Sequence, residues 1–155
     1  MKYPARYAYV LLIIFVSCLS ACASRIIGPY SPVAYQNATS LKAETLALMD
    51  KATEPYDSHK SEVENLVIEA NKALEFVKGV PSNSISAQQW AILIKPDGEL
   101  MGKFFMRWET AKSKTLTRAY VDEFKLIISD AFDEIICLEA NKKEARQCTE
   151  KGVQK

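Results

Sequence analysis

Tyr56-Asp-Ser-His-Lys-Ser-Glu-Val-Glu-Asn-Leu-Val-Ile-Glu-Ala-Asn-Lys-Ala-Leu-Glu-Phe-Val-Lys-Gly79 carries the pattern that decides the fold. His59, Val63, Leu66, Ala70, Ala73 and Val77 recur at alternating steps of four and three, the spacing that lines one face of an α-helix. Gly79 and Pro81 are stop signals, so the stretch predicts a helix of about six turns. Upstream, Ala38, Leu41, Thr45, Leu48 and Ala52 repeat in the same way from Asn37 to Ala52, with Leu46 and Met49 widening the stripe. Between the two patterns lies Glu54-Pro55. Proline removes an interior helix hydrogen bond, so this step is either a tight turn between antiparallel helices or a kink in one long helix. The apolar phase passes from Ala52 through Tyr56 to His59 with one irregular step, which favours the kink.

The remaining segments are also helical. Ser86 with Gln89 resembles a capping box that opens a short helix through Trp90 to Ile94, and Pro96-Asp97-Gly98 forces a turn after it. Leu100, Met101, Phe104, Phe105 and Trp108 share helical spacing. Thr115 or Thr117 can cap a last long helix whose broad apolar face is Tyr120, Phe124, Ile127, Ile128, Ala131, Ile135 and Leu138. No run alternates polar and apolar residues between turns as a strand would. The expectation is an all-α fold, a small helical bundle of about four helices, framed by its two longest elements.

The N-terminus reads differently. Lys2 and Arg6 precede the apolar run Ala8 to Val16, and small residues follow, the three parts of a secretory signal. The apolar run is too short to span a bilayer, which takes about 20 such residues. Leu19-Ser20-Ala21-Cys22 after that run resembles the lipobox of bacterial lipoproteins; Cys18 fits no lipobox, because Phe15 stands where an aliphatic residue is required. The resemblance covers the first 22 residues. It implies that residues 1–21 are a removed leader and that Cys22 is the lipidation site, acylated on its sulfur and on its freed amine. One acyl chain binds a membrane marginally, whereas two or three, at about 0.8 kcal/mol per buried methylene, anchor it stably. In Gram-negative lipoproteins an Asp after the lipidated Cys is associated with retention at the inner membrane. Ala23 stands there instead, which implies the periplasmic face of the outer membrane.

Residues 22–36 then read as the lipidated Cys and a tether, because Gly28, Pro29 and Pro32 interrupt any helical period. Packing of Ile26, Ile27 and Tyr30 back onto the domain is the alternative for part of it. Residues 37–150 form the bundle domain. The 155-residue chain holds 20 Lys and Arg against 19 Asp and Glu, and loss of Lys2 and Arg6 with the leader leaves it near neutral, without the basic surface that nucleic acid requires.

Catalytic and cofactor signals are sparse. His59 is the single histidine and lies on the apolar stripe of the Tyr56–Gly79 helix. It has no second His, no Glu-x-x-His pair and no paired cysteines around it, so a structural role is expected, with no metal site and no cofactor; a haem using Met49, Met101 or Met106 would lack the Cys-x-x-Cys-His attachment motif. Asp97-Gly98-Glu99 opens no calcium loop. Asp122-Glu123, Asp133-Glu134 and Lys142 to Glu144 read as solvated faces. No Gly-x-Ser-x-Gly or Ser-x-x-Lys nucleophile motif occurs, and a non-enzymatic role is expected.

Two features remain. Trp90, Phe104, Phe105 and Trp108 offer more apolar surface than one short helix face buries, which makes them either core or an interaction surface. Cys137 and Cys148 would lie about 16 Å apart on one unbroken helix, against a limit of roughly 7 Å between bridged Cα atoms. A disulfide therefore requires the helix to end near Asn141 and the tail to fold back; two free thiols or an intermolecular link are the alternatives.

The functional expectation is a lipid-anchored, periplasm-facing binding or structural protein, with the membrane as one partner through Cys22 and another envelope protein as the second. An exclusion or inhibitor role toward a phage or conjugation factor belongs to the same class. The competing class is a carrier of a small apolar ligand, in a cavity lined by Phe104, Trp108, Tyr120 and Phe124.

Overall fold

The computed structural model describes residues 28–142 and Cys148. Residues 1–21, expected to be a leader and including Cys18, and the expected lipidation site Cys22 lie outside the described residues. Among the described residues the chain forms five α-helices and no strand: α1 (Pro32–Asp50), α2 (Tyr56–Gly79), α3 (Ser84–Ile94), α4 (Met101–Thr110) and α5 (Arg118–Ala140), with a 3-10 turn at Lys51–Thr53. None of these helices is long and apolar enough to cross a membrane.

Helix α1 begins earlier than the apolar pattern suggests. Ser31 is the N-cap, its Oγ accepting from the Ala34 N–H at 3.3 Å, and Pro32 occupies the first turn, where its missing N–H costs nothing. The boundary expected at residue 36/37 therefore moves to Ser31. Ala34 joins the buried stripe with Ala38, Leu41, Thr45 and Leu48.

Pro55 marks a turn rather than a kink. The residue before a proline is driven out of the helical region, and Glu54 is accordingly extended at φ −95°, ψ 164°. The 3-10 turn closes through the Glu54 N–H donating to Lys51 O at 2.8 Å, and α2 starts afresh at Tyr56. Helices α1 and α2 run antiparallel, with Lys51 reaching Glu62 near the turn and Asn37 and Ser40 lying opposite Lys72 and Ala73 further up the shared groove. The two stripes continue in phase because they face one core from both sides of a hairpin.

The stripe read from Tyr56 to Gly79 is buried as expected: Tyr56, His59, Val63, Leu66, Ala70, Ala73 and Val77, together with Leu74. Ser86 does not cap α3, which starts at Ser84 after Asn83, without a side-chain cap bond. Its side chain is buried in a polar cluster described below. Helix α5 is capped by Thr117, whose Oγ1 accepts from the Tyr120 N–H at 3.3 Å.

The elements meet at two ends. At the distal end the α1–α2 turn and the α4–α5 loop are sewn together by backbone bonds, Leu116 N–H to Ala52 O at 2.7 Å and Tyr56 N–H to Lys114 O at 2.8 Å. At the proximal end the chain's path into α1, the α2–α3 loop and the end of α5 converge. Gly28 is buried there, and a Cβ on it would lie 2.9 Å from Pro81 O.

Glycine matters most where α3 and α4 cross. A Cβ on Gly102 would fall 2.3 Å from Lys95 O and 2.6 Å from Ile94 O, both rigid backbone atoms. Alanine is a better helix former than glycine by about 1 kcal/mol, but overpacking against backbone costs about 1–3 kcal/mol, so the clash wins. Gly102→Ala is therefore expected to lower the urea midpoint. Gly79→Ala, where the added Cβ meets nothing within 4 Å, raises it by the equivalent of about 0.5–1 kcal/mol. Equal shifts for the two variants would contradict this packing.

Candidate functional site

The four aromatic residues expected as either core or contact surface are core. Trp90, Phe104 and Trp108 are fully buried and Phe105 nearly so, which removes them as an interaction surface. Helix α4 can absorb so much apolar area because it is wrapped on several sides: Phe104 lies 6.1 Å from the rings of both Tyr120 and Phe124 on α5, and Trp108 meets Tyr56 of α2 edge-on at 5.5 Å. Tyr120 and Phe124 stack at 4.3 Å. These rings fill the space that the carrier reading assigns to a ligand. The Trp108 Nε1–H donates to Glu54 O and Lys114 O, each at 3.0 Å, so this side chain pins the α1–α2 turn to the α4–α5 loop.

His59 sits beside that pin, its ring 5.8 Å from Trp108. Nδ1 is 2.9 Å from Glu62 Oε1 and Nε2 is 2.7 Å from Glu54 Oε2, so both ring nitrogens are engaged by carboxylates. Glu62 is shared with Lys51, whose Nζ lies 2.5 Å from Oε2. The hydrogen bonds from Glu62 and then Glu54 hold the imidazole above its ordinary value of 6.5, and the Lys51 ammonium and then His59 hold the Glu62 carboxyl below its own. With both ring nitrogens engaged by carboxylates, one from the α1–α2 turn and one from α2, His59 orients the turn. Among the described residues no group of three or more His, Cys, Asp or Glu is placed to hold a metal ion.

The proximal end carries a second polar cluster. Lys142, expected on a solvated face, is buried. Its Nζ donates to Asn83 Oδ1, to Ser86 Oγ at 2.8 Å and to Glu139 Oε1 at 2.9 Å, which uses all three ammonium donors. Glu139 is itself fully buried, and its Oε2 has no partner among the described residues. The Asn83 amide donates onward to Val77 O at 3.2 Å, tying the cluster to the last turn of α2.

A disulfide clamps the chain beside this cluster. Cys137 and Cys148 are bonded, with Cα atoms 5.7 Å apart. Helix α5 ends at Ala140, and Asn141 caps it by donating its N–H to Cys137 O at 2.9 Å and its side-chain amide to the same oxygen at 3.1 Å. This is the chain reversal that the spacing of the two cysteines demands. Closing a loop of this size contributes about 3 kcal/mol on the chain-entropy account.

Shallow crevices accompany these clusters. One of about 320 Å³ lies in the α1–α2 groove over Leu48 and Leu66, rimmed by Glu44, Glu62 and Lys51; another, of about 580 Å³, lies at the α2–α3 loop beside Pro81 and Ala87. No protein-family model, curated protein or solved structure matches the chain. Its functional reading therefore rests on its own residues.

Two outcomes test the clusters. Lys142→Met leaves Glu139 buried without a counterion and is expected to cost about 3–5 kcal/mol, whereas Glu139→Leu combined with Lys142→Met costs clearly less, as read from urea unfolding. A double variant as unstable as the single would contradict the pairing. For His59, a folded-state pKa above the unfolded one gives stability that is complete below the unfolded pKa and is lost as pH rises through the folded value. His59→Gln should therefore lower the midpoint at about pH 5.5 and have much less effect at about pH 9. A penalty independent of pH would contradict the carboxylate contacts.

Proposed function

We propose that this protein is a lipid-anchored component of the bacterial cell envelope, a non-catalytic helical module held at a membrane by acyl chains on Cys22. The observation that carries the reading is Leu19-Ser20-Ala21-Cys22 placed directly after the apolar run Ala8 to Val16. A Cys137–Cys148 disulfide supports export, because such bonds persist in oxidising compartments and are rare in a reducing cytosol. Protein docking is the role that best suits a filled aromatic core and shallow, open surface grooves, since a carrier needs an enclosed apolar space.

Metabolic labelling with a fatty-acid probe tests the anchor. The wild-type chain is expected to take up label and partition with membranes, and Cys22→Ala to take up none. Equal labelling of the two would overturn the proposal.

A further inference from the structure

A quarter of the chain's residues are charged (25%), yet neither Ile26 to Leu41 nor Gly79 to Ile94 contains an Asp, Glu, Lys or Arg. The fold brings the start of one stretch against the start of the other. Gly28 lies against Pro81 and Asn83, so the chain's path into α1 and the α2–α3 loop together form the proximal end of the bundle. Its exposed residues include Tyr30, 53% exposed, and Val33, 49%, with Pro29, Pro32 and Pro81, beside the uncharged Ser82 and Ser84. Among the described residues, the charges of Lys142 and Glu139 at this end are buried and paired, while Arg25, Lys143, Glu144 and Arg146 lie outside the described residues. The exposed charges on the last turn of α2, Glu75 and Lys78, neutralise one another at 2.7 Å.

We propose that this proximal end, whose described chain entry and α2–α3 loop carry no charged side chain, rests in the headgroup layer of the bilayer, so that the bundle stands on the membrane with the Trp108 and His59 end directed away from it. The proposal rests on the lipid anchor at Cys22. Cys22 precedes Gly28 by so few residues that a fully extended chain places the anchor within about 20 Å of this end. The headgroup layer on each side of the hydrocarbon is several ångströms deep, so the proximal end cannot stray far from it. Transfer from water into that layer penalises exposed charges and favours an amphipathic tyrosine beside apolar side chains, which is the composition found. Helix α2, at 1.5 Å per residue, then carries the distal end about 35 Å outward, beyond the headgroups.

The test uses the full lipidated chain in phospholipid vesicles containing brominated lipid. Environment-sensitive fluorophores are placed through Val33→Cys at the proximal end or Lys112→Cys at the distal end; the native cysteines are acylated or bridged and do not compete. Brominated lipid is expected to quench the Val33 probe at least threefold more than the Lys112 probe. Equal quenching overturns the proposal. In native membranes, shielding of the Val33 probe from an aqueous quencher without quenching by lipid also overturns it and assigns this face to a protein partner. A chain without fatty acid on Cys22 overturns the anchor and this orientation together, whereas an acylated chain with equal quenching overturns the orientation alone.

Discussion

A buried ammonium tolerates very few arrangements around it, and Lys142 has one that uses every donor. Its three hydrogen bonds reach Asn83, Ser86 and Glu139, on the α2–α3 loop, the first turn of α3 and the last turn of α5. Through Asn83 the same cluster reaches the carbonyl that ends α2. A buried ion pair of this kind contributes little net stability, because desolvation offsets most of the attraction. What it dictates is geometry. Any slip of α5 against the α2–α3 loop strands a charge in an apolar interior, at a cost of several kcal/mol. The Cys137–Cys148 bridge reinforces the choice by holding the chain reversal that brings Lys142 inward.

The two ends of the bundle are built on contrasting principles. At the distal end an indole N–H shared between two backbone carbonyls ties two loops, and an imidazole between two carboxylates steadies the turn that supplies one of them. That end displays its charges: Glu54, Glu62 and Lys51 are solvent-accessible, and Arg118 and Lys125 both reach Asp50. At the proximal end the central charges are turned inward, and tyrosine, valine and proline face out. This polarity fits the proposed N-terminal anchor, with one end suited to a lipid surface and the other to water or a protein.

The helices were legible where a stripe faces the core. His59 to Val77 needed only the repeat of three and four, and both long helices followed from it. Continuity of phase misled at Pro55, because antiparallel helices sharing a core can stay in register across a turn; the backbone preference of Glu54 was the better guide. Ser31-Pro32 carried an N-cap and first-turn signal that neighbouring Gly28 and Pro29 obscured. The aromatic surplus of α4 made sense only once Tyr56, Tyr120 and Phe124 surrounded it, contacts invisible to local spacing. Lys142 was the least legible residue. Two of its partners lie more than fifty positions away, so its local run of charged neighbours looked like any solvated helix end.

The dependence of the proximal end on this clamp can be read most directly by native-state hydrogen exchange before and after reduction of the disulfide. Reduction is expected to speed exchange in the last turn of α5 and at the start of α3, while the Tyr56 and Leu116 amides at the distal end keep their protection. Uniform acceleration throughout the bundle, or none at the α5 and α3 amides, would contradict a locally clamped end.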